Sequence, residues 1–214
     1  RIKKRTEEIG KMSEKLKVGI LGGTFNPIHN GHIEIARLAH EQFDIPLIYV
    51  MPSGNPASYK DVTDVIAASD RCNMVEAAIQ QYPFMKLSTM EIERKGYTYT
   101  SDTLLEISDK FKSIYFIIGA DSLLYLDKWK RPDIICSHCT LLAANRDNKN
   151  MSVLMEKKHL LEKEYGAVIH FINVPELPFS STSIRTAIRN NQDISEMVPK
   201  GVSDYIIRND LYKM

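Results

Sequence analysis

The stretch GGTFNPIHNGH, residues 22–32, sets His29 and His32 three positions apart, behind two glycines and ahead of a run of helical period. Imidazoles at that spacing across a helix start can aim ring N–H groups at one ligand. The first free backbone N–H groups of the helix and its dipole favour an anion there. Gly22 and Gly23 have no Cβ, which permits positive φ and a close approach of ligand to backbone. Together the residues suit a phosphate. Singly they are ordinary: paired glycines after a strand are often only a turn, the stretch is neither GxGxxG nor GxxxxGK[ST], and HxxH without HExxH is at most half a metal site.

The elements that must hold this bend can be read from the apolar pattern. LKVGIL (16–21), PLIYVM (46–51), FMKLST (84–89), SIYFIIG (113–119), TLLAAN (140–145) and AVIHFINV (167–174) are short, apolar and rich in β-branched or aromatic residues, as strands are. Between them, Ile33, Ala36, Ala39 and Phe43 share a helical face; Val65, Met74, Ala78 and Ile79 partly mark a second helix, and Leu104, Leu105 and Ile107 a third. Such alternation predicts an α/β fold, a Rossmann-like doubly wound parallel sheet with helices on both faces. After Val174 the pattern changes to a turn, a short helix, a loop and a terminal helix, with hydroxyls at Ser180–Ser183 available as N-caps. Ligands of such a sheet sit at the carboxyl ends of its strands near the switch in strand order, which the first strand flanks. The glycine bend lies there.

The 214 residues are compatible with one domain, expected over 16–214. The polar residues 1–15 are expected to be a flexible extension or a cloning remnant. Lys plus Arg (28) nearly balance Asp plus Glu (27), so no broad field attracts nucleic acid. With no apolar run of membrane length and no signal sequence, the expectation is a cytoplasmic protein with no membrane partner. Cys136 and Cys139 form a CxxC with His138 between them, but the remaining cysteine, Cys72, is distant and no second CxxC completes a tetrahedral site; no resident metal is expected.

The bend resembles the nucleotide-binding motif of the HxGH nucleotidyltransferases, with His29, Asn30, Gly31 and His32 as its HxGH element. Within that superfamily the chain, from about Lys17 onward, is similar to bacterial nicotinate-nucleotide adenylyltransferases. SSTSIR at 180–185 resembles that family's (S)STxIR motif, about 150 residues further on. NPASYK, ending at Lys60, lies where the family often has NPPHK, with Tyr59 in place of the histidine. ERKGYTYTSDTL (93–104) and IIGADSLLYLDKW (117–129) resemble its segments for the pyridine nucleotide. The resemblance implies substrate contacts from Lys60, Tyr97 and Thr100, with Gly119 and Asp121 near the ribose and Trp129 stacked on the pyridine. Read locally, Trp129 is equally a core residue, and Asp121, Thr100 and Ser101 are equally helix caps.

The implied reaction joins ATP to nicotinate mononucleotide and releases pyrophosphate. The attacking phosphate oxygen is already ionised at neutral pH, so the work is positioning and electrostatics, with Mg²⁺ carried by ATP. His32 is the leading candidate to stabilise charge at the α-phosphate, with His29 assisting, and Arg185 can clamp the outer phosphates bidentately. Main-chain groups of Gly22, Gly23, Thr24 and Phe25, and of the turn containing Ser180, Ser181, Thr182 and Ile184, are expected to hold ATP. The partners are then ATP and nicotinate mononucleotide, and a homo-oligomer is compatible with the sequence. Rival readings are an adenylyltransferase for nicotinamide mononucleotide or phosphopantetheine, and a nucleotide sensor without catalysis.

Overall fold

A computed structural model describes residues 17–55, 64–146, 151–175 and 178–213. The segment 1–15 and Lys60 lie outside the described residues. Each apolar run forms a strand: β1 (Lys17–Gly23), β2 (Ile48–Pro52), β3 (Met85–Leu87), β4 (Ser113–Gly119), β5 (Thr140–Arg146) and β6 (Val168–Val174). All neighbours pair in parallel, in the order β3-β2-β1-β4-β5-β6. Strand order therefore reverses between β1 and β4, and their carboxyl ends open a crevice there.

The described helices are α1 (Asn30–Phe43), α2 (Ala68–Ile79), α3 (Met90–Glu93), α4 (Thr100–Ser108), α5 (Ala120–Leu124), α6 (Pro132–His138), α7 (Met151–Tyr165), α8 (Ser181–Arg189) and α9 (Lys200–Arg208). Successive strand residues point to opposite faces, so the sheet feeds two cores. Leu21, Ile117, Leu142 and Ile172 pack with α1, α2, α8 and α9, while Ile20, Phe116, Leu141 and Ile169 pack with α4, α5, α6 and α7. Fully burying an Ile or Leu contributes roughly 1.5–3 kcal/mol, which makes the sheet a stiff base for the loops above it.

Several local expectations need correction. Neither Gly22 nor Gly23 adopts positive φ; both continue β1 opposite Met51 and Pro52, and the left-handed residue of the bend is Phe25, at φ 49°. The absent Cβ matters for space instead, because one on Gly23 would fall 3.0 Å from the Phe25 ring. Helix α4 starts after Tyr99 and α5 after Gly119, so Thr100, Ser101 and Asp121 are not N-caps. Leu105 faces outward, at 46% exposure, and Val65 precedes α2. Cys136 and Cys139 are buried in the second core, where burial pushes the Cys136 thiol up to about 11 and Cys139 higher still.

Candidate active site

Helix α1 is opened by the histidines themselves. His29 is the N-cap: its Nδ1 accepts the Gly31 N–H at 3.1 Å, while the His29 N–H donates to His32 Nδ1 at 3.2 Å. This reciprocal capping box is built with imidazoles in place of the usual hydroxyl and carboxyl. With both Nδ1 atoms accepting, each neutral ring carries its proton on Nε2. The rings stack at 3.7 Å between centroids, and the edges of Phe25 and Phe179 close the two sides. His29 is 2% exposed and holds the helix start; His32 faces the cleft.

The second motif arrives at the same place. Ser180 caps α8, exchanging hydrogen bonds with Ser183. Ser181 Oγ donates to the Pro27 carbonyl at 2.9 Å, and Arg185 Nη1 donates to the Asn26 carbonyl at 3.0 Å. Asn26 is itself buried: its Nδ2 donates to the Asp64 carbonyl, and its Oδ1 accepts from the Tyr212 hydroxyl at 3.0 Å. Phe25 in the left-handed region costs roughly 1–2 kcal/mol, which these contacts and the buried Phe25 ring offset.

Two cavities adjoin at the end of β1. One, of about 590 Å³, is lined by Phe25, Asn26, His32, Asp64, Arg71, Ser181, Thr182 and Arg185, a set rich in N–H donors. The other, of about 270 Å³, has the rings of Phe116, Tyr99 and Trp129, with Gly22, Thr100, Gly119, Glu91, Lys128 and Lys130. Gly23, Thr24 and Ser53 line both. A group bound in one cavity can therefore meet a group bound in the other across a few backbone atoms. Trp129 is half-buried, edge-on to Phe116, so it belongs partly to the core and partly to the cavity.

Most of the expected residues gather here, though not all. Tyr97, 62% exposed, and Asp121 line neither cavity. Ile184 is fully buried and its N–H is spent inside α8 on the Ser180 carbonyl, while the N–H of Ser180 donates to Ser183 Oγ; neither offers the cleft a main-chain donor. Gly22 faces the aromatic cavity rather than the cationic one.

Four contributors are absent from the motif reading: Asn26, Arg71, Glu91 and Tyr212. Arg71 had a visible signal, since with Met74, Val75 and Ala78 it completes the i, i+3, i+4, i+7 stripe by which α2 faces the core. Glu91 lines the aromatic cavity; burial raises its pKa, against the lowering effect of the hydrogen bond from Thr103 Oγ1 at 2.8 Å. Among the described residues, no three His, Cys, Asp or Glu side chains gather as a metal site, and no helix is long and apolar enough to cross a membrane.

The chain matches the Cytidylyltransferase-like family over residues 20–187. It is 42% identical to a probable nicotinate-nucleotide adenylyltransferase of Lachnoclostridium phytofermentans, over 92% of this chain and 98% of that one. It is 39% identical to the protein of the same name from Clostridium acetobutylicum, with the same coverage. Among solved structures, the Plasmodium falciparum nicotinic acid mononucleotide adenylyltransferase complexed with NaAD superposes with a TM-score of 0.73, at 20% identity, over 92% of this chain and 97% of that one. That structural likeness supports the fold.

Proposed function

The chain belongs to the nicotinate-nucleotide adenylyltransferases, within the cytidylyltransferase-like family, and from that premise we propose how its residues divide the work. The enzyme transfers the adenylyl group of ATP to nicotinate mononucleotide, giving nicotinate adenine dinucleotide and pyrophosphate, a step of NAD biosynthesis. One observation carries the division: two cavities of different chemistry share Gly23, Thr24 and Ser53.

The cavity with His32 and Arg185 takes the triphosphate of ATP, and the aromatic cavity takes nicotinate mononucleotide with its pyridine on Trp129. The mononucleotide's phosphate oxygen attacks the α-phosphorus over the shared backbone, and the bond to the bridging oxygen of pyrophosphate breaks. Because that nucleophile is already anionic, no side chain need remove a proton, and catalysis is alignment with charge stabilisation. His32 presents Nε2–H to the α-phosphate from the first turn of α1. His29 acts through His32, by stacking on it and capping its helix. Arg185 reaches the outer phosphates while Nη1 holds Asn26, which a planar fork of donors permits and a lysine would not.

ATP arrives with a divalent metal, for which we take Mg²⁺. The described donors of the cleft are mainly N–H groups, which suit phosphate oxygens, so the ion would be held chiefly by phosphate and water and would supply charge neutralisation there. The second cavity, lined by Tyr99, Phe116 and Trp129, favours a pyridine nucleotide over phosphopantetheine.

Coupled pyrophosphate release, measured with ATP plus each candidate acceptor, tests this reading. Turnover with nicotinate mononucleotide should exceed that with nicotinamide mononucleotide, and phosphopantetheine should give none. Preference for either rival acceptor would overturn it.

A further inference from the structure

Arg71, in the first turn of α2, is 3% exposed, yet it lines the cationic cavity. A guanidinium has five N–H donors. Among the described residues only the Thr24 carbonyl accepts from this one, at 2.8 Å from Nη1, and Nε is buried without a partner. No described carboxylate forms an ion pair with it. Asp70, its neighbour in sequence, accepts from the Tyr205 hydroxyl, and Asp64 pairs with Arg189 at 3.3 Å and with Arg185 at 4.0 Å. A buried guanidinium without counter-charge is costly for a folded protein, and burial here depresses its pKa. Such a group persists where a ligand supplies the missing anion.

The geometry says where that anion would sit. Arg71 is moored to the carbonyl of Thr24 and Arg185 to that of Asn26, two residues apart on one bend, and both line the cavity that His32 enters. We infer that Arg71 is a second guanidinium of the polyphosphate site, binding the outer phosphates of ATP and the pyrophosphate product alongside Arg185. Thr24 lines both cavities, so occupation of Arg71 also steadies the backbone between the two substrates. The assignment rests on the triphosphate reading of the cleft.

The test is calorimetric titration of the whole chain with pyrophosphate and, separately, with adenosine, in the parent protein and in Arg71→Met, Arg71→Lys and Arg185→Lys. Arg71→Met should weaken pyrophosphate at least about tenfold, as loss of a charge-assisted contact does, while adenosine affinity stays within about twofold. The ligand-free variant should melt no lower than the parent. If it does not fold, Arg71→Lys, which keeps charge but cannot serve Thr24 and phosphate together, should show the same selective loss. Pyrophosphate affinity unchanged in both Arg71 variants, with Arg185→Lys weakened, would overturn this inference alone. Equal loss of pyrophosphate and adenosine affinity together with a lower melting point would overturn it too, by making Arg71 structural. If Arg185→Lys also binds pyrophosphate like the parent, the triphosphate reading itself fails.

Discussion

Arg185 Nη1 donates to the Asn26 carbonyl at 3.0 Å, joining residues 159 positions apart in sequence. This bond locks α8 onto the bend after β1, so the end of the cleft that Arg185 and His32 line is built by the fold itself. The same bond orients the guanidinium, because its remaining N–H groups are fixed by the one already engaged.

Replacing Arg185 with lysine should therefore hurt more than a retained charge suggests. Arg185→Lys should raise KM for ATP by about tenfold or more and leave KM for nicotinate mononucleotide within about twofold, as read from initial rates. Unchanged ATP kinetics would remove the clamp.

Trp129 is the sole tryptophan of the chain, and its ring stands in the second cavity. Titration with nicotinate mononucleotide should quench or shift its fluorescence, and Trp129→Ala should raise KM for the mononucleotide but not for ATP. An indole signal that responds to ATP and ignores the mononucleotide would reverse the assignment of the two cavities.

Glu91 gives a pH prediction with a definite sign. Burial raises its folded-state pKa above the ordinary glutamate value of 4.5, so the folded chain holds this proton to higher pH than the unfolded chain does. Its contribution to stability is then fully present below the unfolded pKa and is lost as pH rises through the raised one. Urea midpoints of the parent minus those of Glu91→Gln should fall as pH rises above 4.5. A flat or rising difference would contradict the shift.

The two cysteines of the CxxC are placed in the core with thiols held well above neutrality. In native protein at pH 8 an alkylating reagent should reach Cys72, which is only partly buried, before Cys136 or Cys139. Rapid alkylation of Cys139 would show that α6 opens.

Much of this arrangement was legible beforehand, and the exceptions share a cause. All six strands follow from β-branched, apolar runs, and the Ser180 cap follows from hydroxyls before Ile184, Ala187 and Ile188; these signals are local. Phe25 in the left-handed region, Asn26 as the hub, and Tyr212 reaching Asn26 from the far end of the chain are set by packing between distant segments. A glycine pair draws attention as the flexible element of a bend, yet here the strain falls on the neighbouring phenylalanine. His29 reads as a ligand by type and serves as a helix cap by geometry. Arg71 alone among the missed residues broke a local rule, a charge on an apolar stripe.

The central claim is that His32 stabilises charge at the α-phosphate, and its most direct measurement is pyrophosphate release by His32→Ala at saturating ATP and nicotinate mononucleotide. Loss of the Nδ1 acceptor should cost about 1 kcal/mol of stability, so rates are compared per folded molecule. The account predicts a fall in kcat of roughly 10²–10³ with little change in either KM. A kcat within about threefold of the parent would contradict it.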